Sequence, residues 1–274
     1  MAGARGADAA SDDDEVPSQT TVAQGGGTQT LIRGLRILEA MADLERPIGV
    51  GDLSRLLDLP KSTVQRLLRT LAQEGWAQTA STPVTRWELS PRLLAIVRSG
   101  PTDLREVALP YLNSLGSKSG ETIHLVVPDR DVQLVLIERI DSVHPIRSFN
   151  AIGASTLFHT SAGGKAVMSR LTDAEVEAML SRPLRKVMPN TTVDPQQLMH
   201  QVLEARERGY AVNISENREH VCAVGSAVVD KVGRPIAAVV ISMPDIRFEP
   251  ARLTEWGGWV RDTAHAISRE FGPS

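Results

Sequence analysis

The chain is poor in cysteine and aromatic residues and has no long apolar run. A single cysteine, Cys222, among 274 residues excludes an internal disulfide framework and a cysteine-rich zinc site, and it suits a reducing cytoplasm. Aromatic content of 4% leaves the core to Leu, Val, Ile and Ala. No stretch reaches the roughly 18 consecutive apolar residues of a membrane span, and the polar, acidic N-terminus has no apolar signal-peptide core. No membrane partner is therefore expected. G-x-S-x-G, H-E-x-x-H and P-loop patterns are absent, which argues against an enzyme, and no cofactor and no metal are expected.

Negative charge dominates only in part of the chain. The formal net charge is −3, but residues 29–100 hold ten Arg/Lys against seven Asp/Glu, a net +3. Residues 1–27 are Ala-, Gly-, Asp- and Ser-rich with almost no large apolar side chain, which predicts a disordered acidic tail. A basic segment in an acidic protein suits a nucleic-acid-binding module attached to something else.

From Thr30, the residues Leu31, Leu35, Leu38 and Met41 or Ala42 recur at helical spacing. "ERPIGV" ends that helix. A second helix is expected at about 52–58, "DLP" turns the chain, and a third helix runs over about 61–74 to Gly75. "WAQTASTPVTRWEL" then reads as a hairpin. Three helices and a hairpin are the order of a winged helix-turn-helix over residues 28–90. Pro91 opens a short linker helix, 91–101, and residues 102–274 form a second domain. This second domain opens with a helix over about 102–118. Strand-like runs follow at "TIHLVV", "VQLVLIERI", "PIRSFN", "YAVNIS", "CAVGSAVVD" and "PIAAVVISM", with helices between and after them. Short turns between neighbouring strands force antiparallel pairing, so the class is α+β. Thr172 and Glu175 form a capping-box pattern.

The third helix of the first domain is cleanly two-faced. At about 100° per residue, Ser62, Gln65, Arg66 and Arg69 share one stripe, and Val64, Leu67, Leu68 and Leu71 the opposite one. Arg offers two donors to guanine, and Gln pairs with adenine in the same bidentate way. Lys61, Ser62 and Thr63 in the first turn suit phosphate, as do that turn's free N–H groups. Arg86, on the hairpin, stands where a wing would meet DNA. A merely solvated amphipathic face is the competing reading; the ordered turn, helix and hairpin around it favour DNA.

These residues carry a resemblance. "LPKSTVQRLLRTLAQEGW", "RWELSPRLLAI", "ETIHLVV", "HTSAGGKAV", "RERGYAVN" and "VCAVGSAVV", in this order over about residues 29–270, resemble the IclR family of bacterial transcriptional regulators. The resemblance implies a winged helix-turn-helix joined by a linker helix to a GAF/PAS-like effector-binding domain, with an antiparallel sheet flanked by helices. It implies homodimers, often paired into tetramers, on palindromic double-stranded operator DNA, with small carboxylates or aromatic-catabolism metabolites as effectors. Members of the family both repress and activate.

Carried over by motif, the effector-binding residues are Ser161, Ala162 and Gly163 in "HTSAGGKAV", Asn213, Cys222 and Ser242. Free N–H groups at a helix start favour a carboxylate, and small residues permit close approach; a glycine-rich start used only for packing is the alternative. Val240 departs from members that carry serine there, which favours a larger or partly apolar acid. His124 could face the same pocket. The rival reading is a cysteine hydrolase using Cys222 with His124, His159 or His220, but the apolar run around Cys222 suits a buried wall better than a reactive thiol. A ligand-independent architectural DNA binder leaves the second domain unexplained.

Overall fold

The structure is a computed structural model that describes residues 28–42, 44, 46–81, 83–93, 104–129 and 133–271. The chain divides into two compact units, with the break at Leu93/Leu94. The expected acidic tail, and residues 94–101 of the expected linker helix, lie outside the described residues.

The first unit contains α1 (Gln29–Ala42), α2 (Val50–Leu56), α3 (Lys61–Gln73) and the antiparallel strands β1 (Ala77–Thr79) and β2 (Trp87–Leu89). Ile48 bridges to Trp87 and so adds one more backbone pairing to the small sheet. The sharp turn between α2 and α3 has a specific cause. Asp58 adopts a left-handed conformation at φ 51°, and the Ser54 hydroxyl donates to the Leu59 carbonyl at 2.6 Å. Pro60 then occupies the N-cap position of α3 and cannot cap it with a side chain. Gly75, at φ 77°, ends the helix in the left-handed region. The core is Ile37, Leu53, Val64, Leu68 and Trp87 with their neighbours.

The helix expected from Thr30 onward is present as α1, but the residues that marked it do not all face inward. Gly34, Ile37, Ala40 and Met41 are buried, whereas Leu31 and Leu35 are 62% and 50% exposed. Apolar residues at helical spacing lie on both sides of this helix, and of those that marked it in the sequence Met41 is buried.

The described residues of the second unit begin with α4 (Leu104–Ser119) and include a six-stranded antiparallel sheet. Its strands are β3 (Thr122–Asp129), β4 (Gln133–Ile140), β5 (Ser155–Leu157), β6 (Ala211–Ile214), β7 (Val221–Val229) and β8 (Pro235–Pro244), in the order β5-β4-β3-β8-β7-β6. The expected strand "PIRSFN" is not one; residues 145–150 are irregular, and β5 lies further on. That segment is held instead by side chains: Arg247 donates to the Ile146 carbonyl at 2.9 Å and Arg218 to the Phe149 carbonyl at 2.8 Å.

Helices cover both faces. α4 and α8 (Leu253–Phe271) pack on one face through Leu112, Leu115, Trp256 and Val260. α5 (Ala162–Met168), α6 (Asp173–Leu180) and α7 (Pro195–Arg208) cover part of the other. The capping box of α6 is present as the sequence indicated. Bonds from the Thr172 N–H and hydroxyl, then from Arg234, hold the Glu175 carboxyl down to about 2.

Candidate DNA-reading face and effector cavity

The exposed stripe of α3 is built by its buried one. Val64, Leu67 and Leu68 anchor the helix, which leaves Lys61, Ser62, Gln65, Arg66 and Arg69 in solvent and Thr63 half-buried. Among the described residues, the side chains of Gln65, Arg66 and Arg69 have no hydrogen-bond or ion-pair partner. Thr63 and Val64 donate their N–H groups to the Pro60 carbonyl, which leaves the Lys61 and Ser62 N–H groups open at the helix start. Cations, an amide and free N–H groups thus share one unobstructed face, suited to a polyanion.

Arg86 is used differently from the expectation. Its Nη1 donates to the Pro47 carbonyl at 3.2 Å, tying the wing to the segment between α1 and α2. Arg92, unremarked in the sequence, donates to the Glu74 carbonyl at 2.7 Å and closes the end of α3.

In the second unit a cavity of about 190 Å³ opens on the sheet face that carries α5. Strand alternation decides its lining. Asn213, Ala223, Ser242 and Thr122 form one row across four strands, and Gly225, Val240 and His124 belong to the next. Ser242, Ala223, Val240, His124 and Asn213 all line the cavity. Val126, Leu134 and Leu136 complete an apolar wall.

Cys222 is not at this site. It pairs with Met243, one residue out of phase with Val221 and Ala223, and its side chain joins the core beneath α4 and α8 on the far side of the sheet. The motif position suggested a pocket thiol, and the period of two places it outside. Burial pushes the thiol up to about 11, which opposes its use as a nucleophile. Among the candidate bases, His159 Nε2 is engaged by the Arg185 carbonyl at 3.0 Å, and His220 is exposed beside Asp245 at 2.7 Å.

The turn into α5 forms the cavity's polar end. The Ser161 hydroxyl accepts from the Gly164 N–H at 3.1 Å. The N–H groups of Ala162 and Gly163, which line the cavity, have no partner among the described residues. The glycines are needed for packing as well. A Cβ on Gly164 would lie 2.2 Å from the Phe158 carbonyl oxygen, and one on Gly225 would lie 3.1 Å from the Gly163 nitrogen. The glycine-rich turn therefore packs closely, and doing so brings bare N–H groups to the cavity.

Asn213 braces this turn. Its amide donates to the Thr160 carbonyl at 2.6 Å and accepts from the Glu216 N–H at 3.1 Å. Behind it, Lys165, only 2% exposed, meets Glu216 at 2.5 Å and Gln201 at 2.9 Å. Burial pulls the lysine down and pushes the glutamic acid up, and each shift is opposed by the partner's charge. Ser242 donates to the Ser148 hydroxyl at 3.0 Å.

Sequence reading missed Arg218, Asn217, Asn150 and Thr156, which also border the cavity. Asn150, Asn217 and Arg218 sit in irregular segments, where no periodicity marks an inward face, and Thr156 is in β5, a strand too short to show one. Leu134 and Leu136 could have been found, because their spacing of two matches that of His124 and Val126 on the neighbouring strand.

Residues 30–81 match the IclR helix-turn-helix domain, and residues 94–269 match the bacterial transcriptional regulator IclR C-terminal family. The acetate operon repressor of Salmonella typhimurium is 30% identical over 260 residues, covering 93% of this chain and 94% of that protein. The HTH-type transcriptional repressor AllR of Escherichia coli K12 is 31% identical over 262 residues, 93% and 95% of the two chains. Among solved structures, the Thermotoga maritima IclR aligns with a TM-score of 0.73 at 24% identity, over 89% of this chain and 99% of that one. An IclR homologue from Microbacterium hydrocarbonoxydans, complexed with 4-hydroxybenzoate, aligns with a TM-score of 0.75 at 22% identity, over 88% and 98%. With both of its domains matched in order, the chain belongs to the IclR family of DNA-binding bacterial transcriptional regulators.

Proposed function

We propose that this regulator is a repressor whose operator affinity is set by a small organic acid bound in the second unit. The observation that carries the reading is the pairing of an unobstructed cationic face on α3 with a cavity whose one end offers bare N–H groups. Gln65, Arg66 and Arg69 contact base edges in the major groove, while Lys61, Ser62 and Thr63 hold phosphates. Two copies of the chain, as a dimer or as a tetramer of paired dimers, present two such helices to a palindrome with half-sites about 34–36 Å apart. The protein works in the cytoplasm, where its operator is.

In the cavity, the acid's carboxylate meets the Ala162 and Gly163 N–H groups beside Ser161, with Asn213 and Ser242 shaping the wall. The apolar side, with Val240, Leu134 and Leu136, suits a partly apolar acid. The Microbacterium relative, complexed with 4-hydroxybenzoate, is in keeping with that class. Effector and operator alter each other's affinity through the equilibrium between arrangements of the dimer. A thermal-shift screen of organic acids tests the cavity: a ligand of the native state raises the melting temperature by mass action. A cavity that takes no acid contradicts the reading.

A further inference from the structure

Two further cavities border the residues that lead into α5, and neither shares a lining residue with the first cavity. The larger, about 280 Å³, has an apolar wall that includes Val167 and Leu171. The smaller, about 60 Å³, reaches Leu184 and Arg185. Phe158, Met179 and Arg182 border both, so the two adjoin as lobes of one trough. Phe158 and Val167 are buried, and Leu171, Met179 and Leu184 pack against the same core.

The charge at the trough is uneven. Arg182 and Arg185 are exposed, and among the described residues their side chains have no hydrogen-bond or ion-pair partner. Two acids of α6 are engaged elsewhere: Arg206 holds Asp173 at 2.9 Å, and Thr172 and Arg234 hold Glu175. Glu177 lies off the face that Ala178, Met179 and Arg182 share at helical spacing. Asp129, at the end of β3, borders only the larger lobe. An apolar trough with two guanidinium groups on one side fits a molecule with an apolar body and a single anionic head, and the Asp129 carboxylate disfavours a second anion along the larger lobe.

We propose that this trough is a second ligand site, separate from the cavity at Ser161–Gly163, and that it takes an anionic amphiphile of the medium-chain fatty-acid kind. The chain lies against Phe158, Leu171 and Met179, and the carboxylate meets Arg182 and Arg185. The site backs onto the turn into α5, because a Cβ on Gly164 would lie 2.2 Å from the carbonyl oxygen of Phe158. The inference does not depend on what the first cavity binds.

Calorimetry on the full chain, below micelle-forming concentrations, compares decanoate with butyrate, decanol and decyltrimethylammonium. Decanoate binds about tenfold or more tightly than each of the others. Ala178→Trp fills the larger lobe from its rim, and Arg182→Glu reverses the charge that meets the head group. Each weakens decanoate about tenfold or more while leaving the melting temperature unchanged, because both positions are exposed. Carbon-13 spectra of methyl-labelled methionine follow the site directly: the Met179 resonance, assigned with Met179→Leu, moves with decanoate and not with butyrate. Sedimentation velocity gives both variants the wild-type mass. Absence of decanoate binding, equal affinity for decanol, or a decanoate affinity that survives both substitutions overturns the inference, the last by placing the acid in the first cavity. A change of mass with either substitution also overturns it, because a second copy of the chain then covers the trough.

Discussion

Lowering the pH should destabilise the ligand-free second unit through His124, by an amount its surroundings set. Burial, helped by Arg139 and Arg218 and opposed by Asp141, holds the imidazole down to about 4, against 6.5 for a free histidine. As pH falls, the unfolded chain takes up this proton first. The histidine's contribution is therefore intact above pH 6.5 and is lost as pH falls from there toward 4. At pH 5 the difference amounts to about 2 kcal/mol, most of which develops below pH 7. The assay is a urea titration of the full chain at pH 7 and pH 5, with His124→Leu alongside. The variant should lose about 2 kcal/mol less than wild type over that interval, because other groups titrate equally in both chains. The same pH dependence in both chains would refute the buried, neutral imidazole.

Arg66→Ala should weaken operator binding by about 1–3 kcal/mol in anisotropy titrations without lowering the melting temperature, because the side chain lies opposite the packed face of α3. Lys61→Ala should instead reduce the salt dependence of binding by about one unit of slope, whatever the DNA sequence. Gly164→Ala should destabilise the second unit by at least about 1–3 kcal/mol in chemical denaturation, since its Cβ would lie 2.2 Å from the Phe158 carbonyl oxygen. Glu216→Leu should cost about 3–5 kcal/mol by leaving the Lys165 charge buried without its partner, and adding Lys165→Met should recover much of that loss.

Much of this fold was legible because local signals and packing agree. The two-faced pattern of α3, its stop at Gly75 and the Thr172–Glu175 capping box all correspond to observed elements. The failures have physical causes. Leu31 and Leu35 fit a helical stripe, but the core formed on the Ile37 side. "PIRSFN" has strand-like composition, yet arginine side chains rather than a sheet partner satisfy part of its backbone. The lining of the cavity was legible where it rests on a continuous motif, as at Ser161–Gly163. It was misread at Cys222, where one step of strand register separates the cavity from the opposite core. His124 was visible only as a candidate, because its lack of a partner is a property of the folded neighbourhood rather than of the sequence.

The central claim is that α3 reads an operator and that an acid in the cavity changes how tightly it does so. The most direct test is a linkage measurement. A DNA duplex recovered by repeated selection on the protein is titrated with and without an acid that raises the melting temperature, and the acid is titrated with and without that duplex. The same factor, different from one, should separate both pairs of affinities. A factor of one would leave the cavity unconnected to DNA binding and would contradict the claim.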